Sequence, residues 1–199
     1  MKEKISKNIT QLILIVFSVV LGIFLSEKIE ERKNKKEAAL LMAKLKTELN
    51  LNKKILNEAF PYHREILVNI DSLVQDDSII EKFKADETIL FEKAFTQGSI
   101  MSDFLSADAW DIAKSHPLSV HFDYDELLML SKIYSQQQMT YESIPKMIQL
   151  LLSPDFNNDE RAKLNLMGFR NQLWEITGRE ARLSNHYNEA KKVLGLENN

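Results

Sequence analysis

The chain has 199 residues, 44% hydrophobic and 28% charged, with a net charge of −3. These proportions exclude a disordered chain and the strongly basic field that would draw a protein to nucleic acid. Cysteine is absent, which also excludes disulfides, thiolate metal ligands and a cysteine nucleophile. Five glycines and four prolines are too few for the turns of a sheet protein this long, so the composition predicts long helices.

Asn8 to Ser26, NITQLILIVFSVVLGIFLS, carries no charge and is flanked by Lys7 and Lys28. Roughly 20 helical residues cross a ~30 Å hydrocarbon core, so this run is long enough to span a bilayer. A cleaved signal peptide is the competing reading, because MKEKISKN is a basic leader and the apolar centre, Leu12 to Leu25, is short. The following SEKIEERKNKKE offers no A-x-A-like cleavage site, which favours an anchor. Lys2, Lys4 and Lys7 precede the span, while Lys28, Arg32, Lys33, Lys35 and Lys36 follow it, so the positive-inside count is nearly even. Glu27, Glu30, Glu31 and Glu37 dilute the second cluster, and the expectation is a domain outside a bacterial cytoplasmic membrane. Ser18 and Gly22 form a small-xxx-small pair that lets two spanning helices approach. Small residues are also common in spans with no such role.

Residues 27–37 read as a charged helical stalk that continues the span, since acids interleave with bases and no helix breaker intervenes. From Ala38 an apolar stripe follows in steps of fours and threes: Ala38, Met42, Leu45, Leu49, Asn52 and Leu56, widened by Leu41 and Ile55. Pro61 is expected to end this helix and open another, bearing Ile66, Leu67, Ile70, Leu73 and Val74, which closes at Asp76. Ile79 to Phe95 suggests short helices, and Thr96-Gln97-Gly98 a turn. Ser106 is the expected N-cap of ADAWDIAKS, with Leu105 and Trp110 as a hydrophobic staple. Asp123 and Glu126 form a capping box for a helix carrying Leu127, Leu128, Leu130, Ile133 and Tyr134. Pro145 kinks or restarts the helical material that reaches Leu152.

After a loop at residues 154–158 comes the longest stripe: Ala162, Leu166, Phe169, Leu173, Ile176, Glu180, Leu183, Tyr187, Ala190 and Leu194. Lys191 and Lys192 suit its C-terminus, and Gly195 stands just beyond. Two long stripes at opposite ends of a domain most simply pack antiparallel. The predicted fold is therefore all-α: a transmembrane helix (1–26 with its short tail), a stalk (27–37) and an elongated antiparallel helical bundle (38–199).

The stretch VVLGIFLSEKIEERKNKKEAALLMAKLKTELNLN, with the later LSADAWDIAKSHPL and LLMLSKIYS, resembles a family of short single-span bacterial membrane proteins of unknown function. The resemblance covers roughly residues 11–135. Lys28-Ile29-Glu30-Glu31 departs from that family's pattern after the span. It implies membrane anchoring and no known catalytic activity.

His116, His121, Asp123 and Asp125 share one connecting segment, but their spacing is not that of a zinc framework, and Asp123 is better explained as a cap. No glycine-rich phosphate loop, nucleophile elbow or calcium-loop spacing occurs. Trp110 and Trp174 are candidate interaction anchors or core aromatics, with Trp174 placed on the seam side beside Leu173. The expected function is non-enzymatic and cofactor-free: a membrane-tethered interaction or scaffold module. Its partners would be the lipid bilayer and either a second copy or another membrane or periplasmic protein, not nucleic acid. The alternative is an extracytoplasmic ligand-sensing bundle acting through a partner protein.

Overall fold

The computed structural model describes residues 2–196 other than 87, 102 and 159, with side chains from residue 12 onward. The basic leader side chains Lys2, Lys4 and Lys7 lie outside the described side chains. The fold is all-α, 84% helical, with no strand among the described residues. The helices are α1 (Lys2–Gln75), α2 (Asp77–Ala85), α3 (Thr88–Ala94), α4 (Asp108–Ser115), α5 (Tyr124–Tyr141), α6 (Ile144–Leu151) and α7 (Ala162–Leu194), with a 3-10 turn at Pro117–His121.

Helix α1 organises the molecule. Its 74 residues extend about 110 Å as one helix. The first part is long and apolar enough to cross a membrane, with a mean hydropathy of 2.3 over its most apolar 18 residues, none of which is buried. The same helix then passes through the stalk and becomes a core member of the bundle. Ala38, Met42, Leu45, Leu49, Asn52 and Leu56 are all buried, as the stripe predicts.

Pro61 does not end α1; it lies inside the helix. A proline deprives the carbonyl four residues back of its partner, and here that carbonyl belongs to Asn57. Asn57 and Pro61 both face solvent, so water can satisfy the vacant acceptor. On the opposite side Leu56, Ala59, Tyr62, His63 and Ile66 are buried on both flanks of the proline and hold the two halves in line. Tertiary packing overrides the local break.

Helices α1 and α7 form the main pair, and α5 packs on α7. They run antiparallel: Asp77 meets Lys163, Asp71 meets Arg170 and His63 meets Glu180, each step down α1 matching a step up α7. Every stripe residue named for α7 is buried. Gly195 terminates α7 in the left-handed conformation, φ 63°, where glycine carries no Cβ penalty. The core has two apolar compartments. One gathers Ile66, Ile70, Leu90, Phe95, Phe156, Phe169 and Leu173 at the end far from the anchor segment. The other gathers Leu45, Leu49, Leu130, Ile133, Leu183 and Tyr187 nearer to it. His63 and Glu180 lie between them, each 0% exposed.

Three local expectations need correction. Helix α4 begins at Asp108, one residue later than a Ser106 N-cap would set, because Ser106 is held in tertiary hydrogen bonds. Leu128 is 41% exposed, since the buried side of α5 centres on Leu130, Ile133, Tyr134 and Gln137. Trp174 is 63% exposed; the residue after Leu173 is turned about 100° around the helix and leaves the seam. Other expectations hold: α5 has its capping box of Asp123 and Glu126, and Pro145 restarts the chain in the first turn of α6.

Candidate functional site

The segment 104–106 lies outside the helices and is fixed by side chains from α1 and α5. Ser106 is its centre. Its N–H donates to Asn52 Oδ1 at 2.9 Å, and its carbonyl accepts from Asn52 Nδ2 at 2.6 Å and Gln137 Nε2 at 2.9 Å. Its hydroxyl donates to Glu48 Oε2 at 2.8 Å, and that oxygen also accepts from the Ala109 N–H at 2.8 Å. Glu48 therefore supplies from α1 the capping bond that Ala107 cannot give to α4. Tyr134 donates to Glu48 Oε1 at 2.6 Å, closing the network on α5. Burial first, then the Glu48 carboxylate, pushes the Tyr134 hydroxyl far above the usual tyrosine range, so it stays a donor.

Beside this network lies a groove of about 710 Å³ between α4 and α5, lined in part by Phe104, Trp110, Tyr134, Gln137 and Tyr141. Trp110 stacks on Tyr134 with ring centroids 5.3 Å apart and planes 1° from parallel. The polar groups of Tyr134 and Gln137 are already bonded to Glu48 and Ser106. The groove offers a visitor this aromatic surface, bordered by the polar side chains of Asp111, Lys114, Ser131, Ser135, Gln138 and Glu142.

Tyr141 connects the groove to the second buried network. Its hydroxyl donates to Glu180 Oε1 at 2.9 Å, the oxygen that also lies 2.8 Å from His63 Nδ1. His63 Nε2 is 2.8 Å from the Ile100 carbonyl, which only accepts, so Nε2 carries a proton. The Nδ1–Oε1 contact joins the imidazole of α1 to the carboxyl group of α7. Burial and then the Glu180 carboxylate push Tyr141 far above its ordinary value. Glu180 Oε2 is buried without a hydrogen-bond partner.

Of the residues nominated by sequence, only Trp110 belongs to this site. Trp174 stands on the outer face of α7. Ser18 and Gly22 lie in the exposed apolar part of α1, where the Ser18 hydroxyl donates to the Leu14 carbonyl at 2.8 Å. Ser18 precedes Leu45, and Gly22 precedes Leu49, by about seven and a half helical turns, so this pair is on the side of α1 opposite the bundle. His116 Nδ1 accepts from the Leu118 N–H and Asp123 from the Asp125 N–H, both as local caps. Among the described residues no group of three or more His, Asp or Glu is placed to hold a metal ion.

Sequence reasoning missed Glu48, His63, Gln137 and Tyr141. The available signal was the presence of Asn52 and Glu180 within otherwise apolar stripes, since a buried polar residue requires a partner. Compared with protein-family models, curated proteins and solved structures, the chain matches none.

Proposed function

We propose that this chain is a membrane-tethered, non-enzymatic interaction module, anchored by one span in a bacterial cytoplasmic membrane. The observation that carries this reading is the continuity of α1: one helix runs from a wholly exposed apolar stretch into the bundle core. Exposed large side chains from Leu12 to Leu25 are unfavourable in water and suit lipid. Because no flexible linker intervenes, the bundle would be held upright and at fixed height.

Fractionation of cells carrying the full chain tests the anchor. The expected outcome is membrane association resistant to high salt, lost when residues 1–26 are removed. Recovery of the full chain in the soluble fraction would overturn it. Sidedness follows from a single cysteine placed at Asn188, exposed on α7 in a chain otherwise free of cysteine. Labelling by an impermeant reagent in intact cells is expected for a domain outside.

A second reading, a ligand-sensing bundle that acts through a partner, is favoured by the α4–α5 groove. Trp110 and Tyr134 offer an aromatic face there, and Tyr141 links the groove to the His63–Glu180 pair joining α1 and α7.

A further inference from the structure

Trp174 stands at a second concavity, between α1 and α7, of about 550 Å³. Phe60, Arg64, Gly178, Arg179 and Arg182 surround it. Arg179 is engaged by Glu175 and by the Met139 carbonyl. Arg64 lies over the Phe60 ring, 6.0 Å from its centroid. Among the described residues neither Arg64 nor Arg182 has an ion-pair partner. With Glu175 as the one carboxylate lining this concavity, it holds an excess of two positive charges in a chain whose net charge is −3.

Two further features make this more than a scattered basic surface. Tryptophan and arginine are the residues most enriched among energetic anchors of interfaces, and here they are adjacent and uncovered. Gly178 lies one turn beyond Trp174, where a Cβ would meet nothing within 4 Å. Glycine inside a helix is unfavourable, and the chain's own packing does not require it there. It leaves the surface of α7 beside the indole open, free of any side chain that would hold off an approaching backbone.

Height above the membrane decides which anion this surface can meet. Phe60 follows Leu25 by about 50 Å of helix on α1, several times the ~10 Å screening length of ordinary salt solutions. Anionic lipid headgroups at the base of the stalk are too far away. An acidic segment of another protein is the matching occupant.

We propose that this concavity docks an acidic peptide segment of a partner protein, with carboxylates on Arg64 and Arg182 and an apolar side chain against Trp174 beside Gly178. The proposal rests on the interaction-module reading and names its partner's chemistry.

The test uses the full chain in nanodiscs of neutral phosphatidylcholine, with Trp174 emission as the readout. Trp174→Phe is the control that removes the signal. A peptide built of Glu and Leu is titrated against its Lys and Leu counterpart. Expected is a shift in emission with the acidic peptide only, weakened by salt and reduced at least tenfold by Arg64→Gln with Arg182→Gln. Gly178→Leu, which places a side chain beside the indole without a clash at its Cβ, is expected to weaken binding similarly, with the helical circular dichroism unchanged. Equal response to the basic peptide, indifference to the arginine changes, or no response overturns the proposal. So does a response to phosphatidylserine vesicles as strong as that to the peptide, or one that grows with protein concentration alone and so assigns the surface to a second copy. Membrane association with no peptide response would sink this inference and leave the anchor reading standing.

Discussion

His63 of α1 and Glu180 of α7 meet with Nδ1 and Oε1 2.8 Å apart, both fully buried and 117 residues apart in sequence. They lie where the two apolar compartments of the core adjoin, and Tyr141 and the Ile100 carbonyl complete their bonding. A buried polar layer of this kind fixes the register of two long helices that apolar stripes alone would allow to slide. Shifting α7 by one turn would leave the imidazole and the carboxyl facing hydrocarbon.

Glu180→Ala is therefore expected to destabilise the bundle by about 3–5 kcal/mol, the usual cost of leaving one member of a buried pair alone. This corresponds to a fall of roughly 6–20 °C in Tm. Thermal unfolding of the full chain in micelles, followed by circular dichroism, provides the measurement. A change under about 1 kcal/mol would show that the layer does not set the register.

Four buried or half-buried tyrosines give the stability an alkaline limit. Tyr62, Tyr134, Tyr141 and Tyr187 all have folded-state values raised chiefly by burial. A raised folded value means that the folded state keeps a proton the unfolded chain releases. The contribution is complete below the ordinary tyrosine value of about 10 and is lost as pH rises through the folded values. Unfolding is thus expected above pH ~10, together with the tyrosinate absorbance. In Tyr141→Phe the pH dependence should be shallower.

Pro61→Ala should stabilise the chain, by up to about 3 kcal/mol, because it restores the hydrogen bond to the Asn57 carbonyl in an exposed helix interior. Were Pro61 the first turn of a separate helix, the same change would be neutral or harmful. Denaturant titration distinguishes the two signs.

Ser106→Ala removes the hydroxyl bonded to Glu48 and to the Asp108 N–H. The expected loss is about 1–3 kcal/mol. Hydrogen exchange should rise first in α4, whose opening turn depends on that network.

The two tryptophans should report opposite environments. Trp174→Phe is expected to remove the water-exposed, longer-wavelength emission with a stability change within ~0.5 kcal/mol. Trp110→Ala should cost several times as much, because it uncovers the stacked face of Tyr134.

Sequence alone determined what depends on neighbours within one or two turns. Each helix face is set by residues three and four apart, so the stripes from Ala38 to Leu56 and from Ala162 to Leu194 predicted the buried faces of α1 and α7, and their antiparallel pairing followed. The Asp123–Glu126 capping box, Gly195 at the end of α7 and the apolar stretch in α1 were legible for the same reason. Tertiary structure decided whatever needed a partner far along the chain. Asn52 and Glu180 were visible as polar interruptions, but their partners Ser106 and His63 lie 54 and 117 residues away. Pro61 carries a strong local signal to stop a helix, and only packing on both sides of it kept α1 whole. Trp174 differs from Leu173 by one position, yet a 100° turn of the helix placed one in the core and the other in water. Local periodicity fixes which faces exist; the free energy of satisfying buried polar groups fixes how those faces meet.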